Sequence, residues 1–110
     1  MKSRKDPAGI LLGSLEEQVM LAVVRTKDEA YGMNVRRELE SVTGRDITIG
    51  SVYATLDRLE AKGLVMSSRT NGSDVASRRV FAVTAAGARS LTETRATRDR
   101  LWTGVKIRTV

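Results

Sequence analysis

The 110-residue sequence predicts a mainly α domain that carries one small β-hairpin. Three observations lead there. Apolar residues recur at helical spacing in three segments before Gly63, residues 64–83 change to β-branched runs around a polar loop, and a capped helical pattern returns after Thr84. The length fits a single domain with a modest core. A hydrophobic fraction of 41% with only 4% aromatics leaves Ile, Leu, Val and Ala to fill that core.

Taken in order, "MKSRKDPAG" is basic, and the "ILL" after it is too short for the apolar centre of a secretory signal. Residues 1–13 are therefore expected to be a basic arm on a cytoplasmic protein. In "GSLEEQVMLAVVRTK", Ser14 stands three residues before Glu17 in a capping-box pattern, and Leu15, Val19, Ala22 and Val23 follow at helical steps. This predicts a helix over 15–27. The next segment, "DEAYGMNVRRELESVTGRD", puts Val35, Leu39 and Val42 on one stripe and Gly44 at the stop, predicting a helix over 32–43. A brief extended "DIT" leads to a third helix over 51–62, ended by Gly63.

"LVMSSR" and "RRVFAVT" predict strands over 64–69 and 78–83, joined through a loop in which Asn71-Gly72 signals a tight turn. Thr84 caps a last helix over 85–103 that contains Leu91, Leu101, Trp102 and Val105, with Gly104 ending or loosening it. Three helices, a hairpin and one more helix is the order of a winged helix-turn-helix domain, here residues 14–84, followed by a C-terminal helix and tail over 85–110. Other small α+β topologies share that element string.

Composition removes several function classes. The chain has no cysteine and no histidine, so neither a disulfide framework, a histidine or cysteine metal site nor an imidazole base can be built. Tyr53, Lys62 and the scattered carboxylates have no spacing that assembles acid, base and nucleophile, so no enzyme, cofactor or metal is expected. Apolar runs such as Met20 to Val24 are far short of the ~20 residues that cross a bilayer. The net charge of +6 and a pI near 10.3 favour a polyanionic partner, although the same excess also serves solubility.

On a 3.6-residue period, Val52, Leu56 and Leu59 of the third helix share a narrow arc that must face the other helices. Gly50, Ala54, Asp57, Arg58 and Ala61 lie opposite, with Ser51, Thr55 and Lys62 on one flank and Tyr53 and Glu60 on the other. Small outward residues let a helix approach base edges in the major groove of double-stranded DNA. There the Ala54 methyl can meet a thymine methyl, Ser51 can exchange a hydrogen bond, Arg58 can reach guanine or phosphate, and Tyr53 suits a flanking phosphate. The plain alternative is a solvated surface where Ala54 and Ala61 serve helix propensity.

Arg69, Arg78 and Arg79 gather where the strands meet their loop, in a position to track phosphate or simply to guard a sheet edge. Arg78 and Arg79 point to opposite faces, so at most one shares a face with Arg69 or with the core-directed Val80 side. In the last helix Leu91, Thr94, Arg98, Leu101, Trp102 and Val105 form a stripe apolar only at its ends, suited to its own domain or to a second subunit.

"LLGSLEEQVMLAV", "YGMNVRREL", "GSVYATLDRLEAKGLV" and "RRVFAVTAAGARSL" resemble the PadR family of bacterial transcriptional regulators, over about Leu11 to Leu91. The most specific part is Tyr53 to Val65 followed at distance by "VTAAG". The resemblance implies a homodimeric winged-helix protein of the family's short form that binds operator DNA, usually as a repressor released by an effector or stress signal. By position, Ser51, Val52, Tyr53 and Ala54 fall at the reading end of the third helix, Arg78 and Arg79 in the wing, and Leu15, Val19, Leu91 and Trp102 in a dimer interface where the last helix crosses the partner's first. Trp102 in such an interface is a candidate contact for a small aromatic effector. Two departures stand out: Ala54 replaces a frequent proline, and "SDVAS" replaces a glycine- and proline-containing approach to the second strand. An alternative from another class is a winged-helix interaction module whose positive charge serves an acidic protein partner.

Overall fold

The computed structural model describes residues 9–70 and 78–110. The Asn71-Gly72 turn and residues 1–8 of the basic arm lie outside them. The described elements are α1 (Ser14–Thr26), a 3-10 turn (Lys27–Glu29), α2 (Gly32–Thr43), α3 (Ile49–Ala61), the strands β1 (Val65–Arg69) and β2 (Arg79–Val83), and α4 (Ala85–Trp102). The expected order of three helices, a hairpin and a helix is therefore present, and none of the described helices is long and apolar enough to cross a membrane.

The helix starts show how local chemistry sets the frame. Gly13, not Ser14, is the cap of α1, and the Glu16 carboxylate accepts from the Gly13 N–H at 3.1 Å. The capping box thus sits one residue earlier than the sequence pattern indicates. Helix α3 likewise starts earlier than expected, because Thr48 is its cap and accepts from the Ser51 N–H at 3.0 Å. "DIT" forms no strand. Gly44 closes α2 with φ at +70°, a left-handed conformation that glycine adopts without a Cβ clash.

Met20, Val35, Leu56, Leu59 and Phe81 are all but inaccessible at the centre of the core. Packing of this kind stabilises by about 1.5–3 kcal/mol for each large side chain removed from water. Val42, read as part of the buried stripe, is instead exposed beside Leu21 and Val24, where α1 and α2 diverge and leave an apolar groove of about 250 Å³.

The strands pair antiparallel, with Val65 opposite Val83, Ser67 opposite Phe81 and Arg69 opposite Arg79. Phe81, 1% exposed, marks the core-directed face, so the expectation that Val80 points inward is corrected: Val80 is half-buried on the alternate face. Of the two adjacent arginines only Arg79 shares a face with Arg69. The Phe81 N–H also donates to the Ala30 carbonyl at 2.9 Å, which ties the α1–α2 connection to the free edge of β2. The sequence gives no strand signal at Ala30.

Thr84 caps α4 as expected, accepting from the Gly87 N–H at 3.0 Å. The helix then lies along residues preceding α1 and along α1 itself. Thr94 Oγ1 accepts from the Leu12 N–H at 3.0 Å, and the Arg98 guanidinium donates to both oxygens of Glu17 at 2.6 and 2.7 Å. Residues 9–13 are thus not a free arm. The helix ends at Trp102, with Gly104 at φ +76°, so Val105 lies beyond the helix in which it was expected.

Candidate nucleic-acid interface

Val52, Leu56 and Leu59 are each fully buried, which anchors α3 and turns Gly50, Ser51, Ala54, Asp57, Arg58 and Ala61 outward, all exposed. The outward arc read from the sequence is therefore present, with two corrections. Thr55, placed on its flank, is 1% exposed; Val52, placed among DNA contacts, is 0% exposed and has no side-chain surface to offer. Val52 belongs to the apolar arc itself, and Thr55, beside that arc, is buried because the helix sinks deeper than the arc alone requires.

Ser51, Ala54 and Arg58 follow at steps of three and four and share one stripe. Ser51 Oγ accepts from the Thr48 hydroxyl at 3.0 Å, which leaves its own proton to donate outward. Arg58 is steadied by a 3.2 Å bond to Thr55 Oγ1. The start of α3 is fixed from the preceding helix: Glu40 accepts from the Ile47 N–H at 3.1 Å and from Arg36 at 3.4 Å. The Ile47 bond, helped by Arg36, holds the Glu40 carboxyl below the usual carboxylate range.

On the other flank, Tyr53 opens into a groove of about 620 Å³ shared with Arg69, Arg78 and Arg79 of the hairpin. The structure brings these four predicted residues together and adds Tyr31, Met33 and Arg37 from the start of α2, which the sequence reading missed. Gly32 permits the meeting, since a Cβ there would stand 2.3 Å from Tyr53 Cζ. Arg78 lies over the Tyr31 ring, 4.3 Å from its centroid, and Arg37 donates to Asn34 Oδ1 at 3.0 Å. Among the described residues Arg37, Arg69 and Arg78 pair with no carboxylate. Arg79 differs, donating to Asp57 at 3.2 Å and Glu60 at 2.9 Å. Glu60 also accepts from the Ser67 hydroxyl at 2.8 Å, and that bond, then Arg79, holds its carboxyl below the usual range.

The expected interface residues divide. Val19 is 0% exposed within its own protomer, so its assignment to a dimer surface is corrected to the core. Leu15 and Leu91 are half-buried against that core. Leu101, Trp102 and Val105 are exposed at 72%, 58% and 50% where α4 runs out past the domain.

A helix-turn-helix whose third helix faces outward beside an arginine-lined wing, with an additional helix behind it, defines a small winged-helix protein. Residues 20–93 match the model of the transcriptional regulator PadR-like family. Transcriptional regulator Rv3488 of Mycobacterium tuberculosis is 39% identical over 74 residues, 67% of each protein. In structure, a PadR-like transcription factor from Bacteroides fragilis superposes with a TM-score of 0.69 at 24% identity, over 79% of this chain and 82% of that one. A PadR family transcriptional regulator from Eggerthella lenta gives 0.65 at 30% identity, over 82% of each. The chain belongs to the PadR-like family of transcriptional regulators.

Proposed function

We propose that the chain is a cytoplasmic, dimeric repressor that reads operator DNA in the major groove with α3 and is released by an effector or stress signal. The observation that carries the reading is the smooth stripe of Ser51 and Ala54 beside a groove where Arg37, Arg69 and Arg78 have no carboxylate partner among the described residues. Ser51, Ala54 and Arg58 supply contacts to base edges, while Tyr53, Arg69 and Arg78 follow the phosphates. Two copies join through the exposed end of α4, giving two reading helices for a two-fold symmetric site. Trp102 at that junction offers an aromatic face to a flat effector.

Selection of duplexes from a random library, followed by footprinting of the enriched sequence, tests the assignment. Ala54→Glu is expected to abolish the footprint. Arg78→Ala is expected to weaken binding to all sequences and to reduce the slope of log affinity against log salt by about one unit. A footprint unchanged by both substitutions refutes the reading face.

A further inference from the structure

Asp57 and Glu60 pose a difficulty for any helix that lies against DNA, because two carboxylates on its wing-facing side repel phosphate. The structure shows what answers them. Arg79 reaches from the first position of β2 to donate to both, while its guanidinium carbon lies 4.8 Å from the centroid of the Phe81 ring. Directly across the sheet stands Arg69, a like charge that would repel an unpaired Arg79. The side chain is therefore held by two acceptors from one helix, an aromatic surface beneath it and a cation opposite it. One nitrogen, Nη2, makes both bonds, and a phosphate that approached the remaining N–H groups of Arg79 would also approach the two carboxylates that offset its charge.

We propose that Arg79 is a positioning residue that sets the angle between the wing and α3, so that it governs sequence discrimination without being a phosphate ligand. The proposal rests on the DNA-binding reading above. The clamp acts where angle matters: the buried Phe81 and its bond to Ala30 hold one side of the hairpin, while the Arg79 bonds and the Ser67–Glu60 bond fasten both strands to the last turns of α3. A wing fixed at one angle lets the phosphate contacts and the base contacts form together only on a duplex that matches both. The clamp also leaves the three charges with a net of one negative (two carboxylates and one guanidinium), which reduces the repulsion that the carboxylates alone would exert.

The test compares a duplex enriched from a random library by the wild-type protein with a scrambled duplex of the same length. Arg79→Lys keeps the positive charge but not the planar guanidinium, which rests on the Phe81 ring while its Nη2 reaches both carboxylates. It is expected to lower the ratio of the two affinities by about tenfold, with the salt slope within about half a unit of wild type. The double variant Asp57→Ala with Glu60→Ala leaves Arg79 intact and removes both acceptors together with two repulsive charges. It is expected to bind the scrambled duplex more tightly and yet lose discrimination to the same extent, and adding Arg79→Lys should lower the ratio no further. An Arg79→Lys ratio equal to wild type, or a double variant that gains on both duplexes alike, overturns the proposal and returns Arg79 to the phosphate contacts. If wild type enriches no sequence, the DNA-binding reading falls and this inference with it. Thermal melting of each variant separates a lost angle from a lost fold, and the double variant, which keeps Arg79 over the Phe81 ring, guards against an unfolded Arg79→Lys.

Discussion

Gly32 and Gly87 show how much a single missing methyl can decide. A Cβ on Gly87 would lie 2.0 Å from the Leu64 carbonyl oxygen and 2.9 Å from both Met20 and Val83, so α4 can sit on the strand only because this position is bare. At Gly32 the obstacle is the ring of Tyr53, a half-buried side chain that can swing outward. Overpacking against backbone costs more than overpacking against a mobile ring. Gly87→Ala is expected to lower unfolding free energy by about 3 kcal/mol, and Gly32→Ala by about 1 kcal/mol after its gain in helix propensity, as measured by urea titration. Gly32→Ala should nonetheless weaken DNA binding, because it displaces Tyr53 from the groove. Neither role is legible in the sequence, where both glycines read as poor helix formers.

Among the elements, the arcs of the helices were readable and their joints were not. Val52, Leu56 and Leu59 announce the buried side of α3, and Thr84 announces the start of α4, because those signals are local. Glu17 was read as a capping residue, yet its carboxylate is taken by Arg98 from the far end of the chain, and Glu16 does the capping. No spacing rule could reveal that exchange, nor the arrival of Tyr31 and Arg37 beside Tyr53. Glu16 also joins α1 to the end of α3 through Lys62 at 2.7 Å. That hydrogen bond, more than the Gly13 N–H, holds its carboxyl below the ordinary value of 4.5. A carboxyl lowered in the folded state adds stability above its unfolded value and loses it as pH falls through the folded one. Glu16→Gln should therefore melt below wild type near pH 7, and the gap should close as pH falls beneath 4.5. A gap independent of pH would refute the ion pair's contribution.

For the molecule as a whole, α4 divides into a docked stretch and a projecting one. Gly87, Ser90 and Thr94 are buried, and Arg98 reaches α1; beyond it Leu101, Trp102, Val105 and Ile107 are largely in solvent. So much apolar surface at one end fits an interface between copies, whereas the stripe in the sequence, apolar at both ends, suited its own domain or a second subunit without separating the two stretches. Leu101→Glu is expected to shift micromolar protein toward the monomer in sedimentation velocity and to weaken binding to the enriched duplex with it. Unchanged sedimentation would move the interface elsewhere.

The bond from the Phe81 amide to the Ala30 carbonyl has a use of its own. Because Phe81 is buried beneath the wing, its amide proton can exchange with deuterated water only when β2 parts from the α1–α2 connection. That one exchange rate becomes a gauge of how often the hairpin lifts, and it can be read without any duplex. Slower exchange on adding the enriched duplex would register the grip of DNA on the wing from inside the protein.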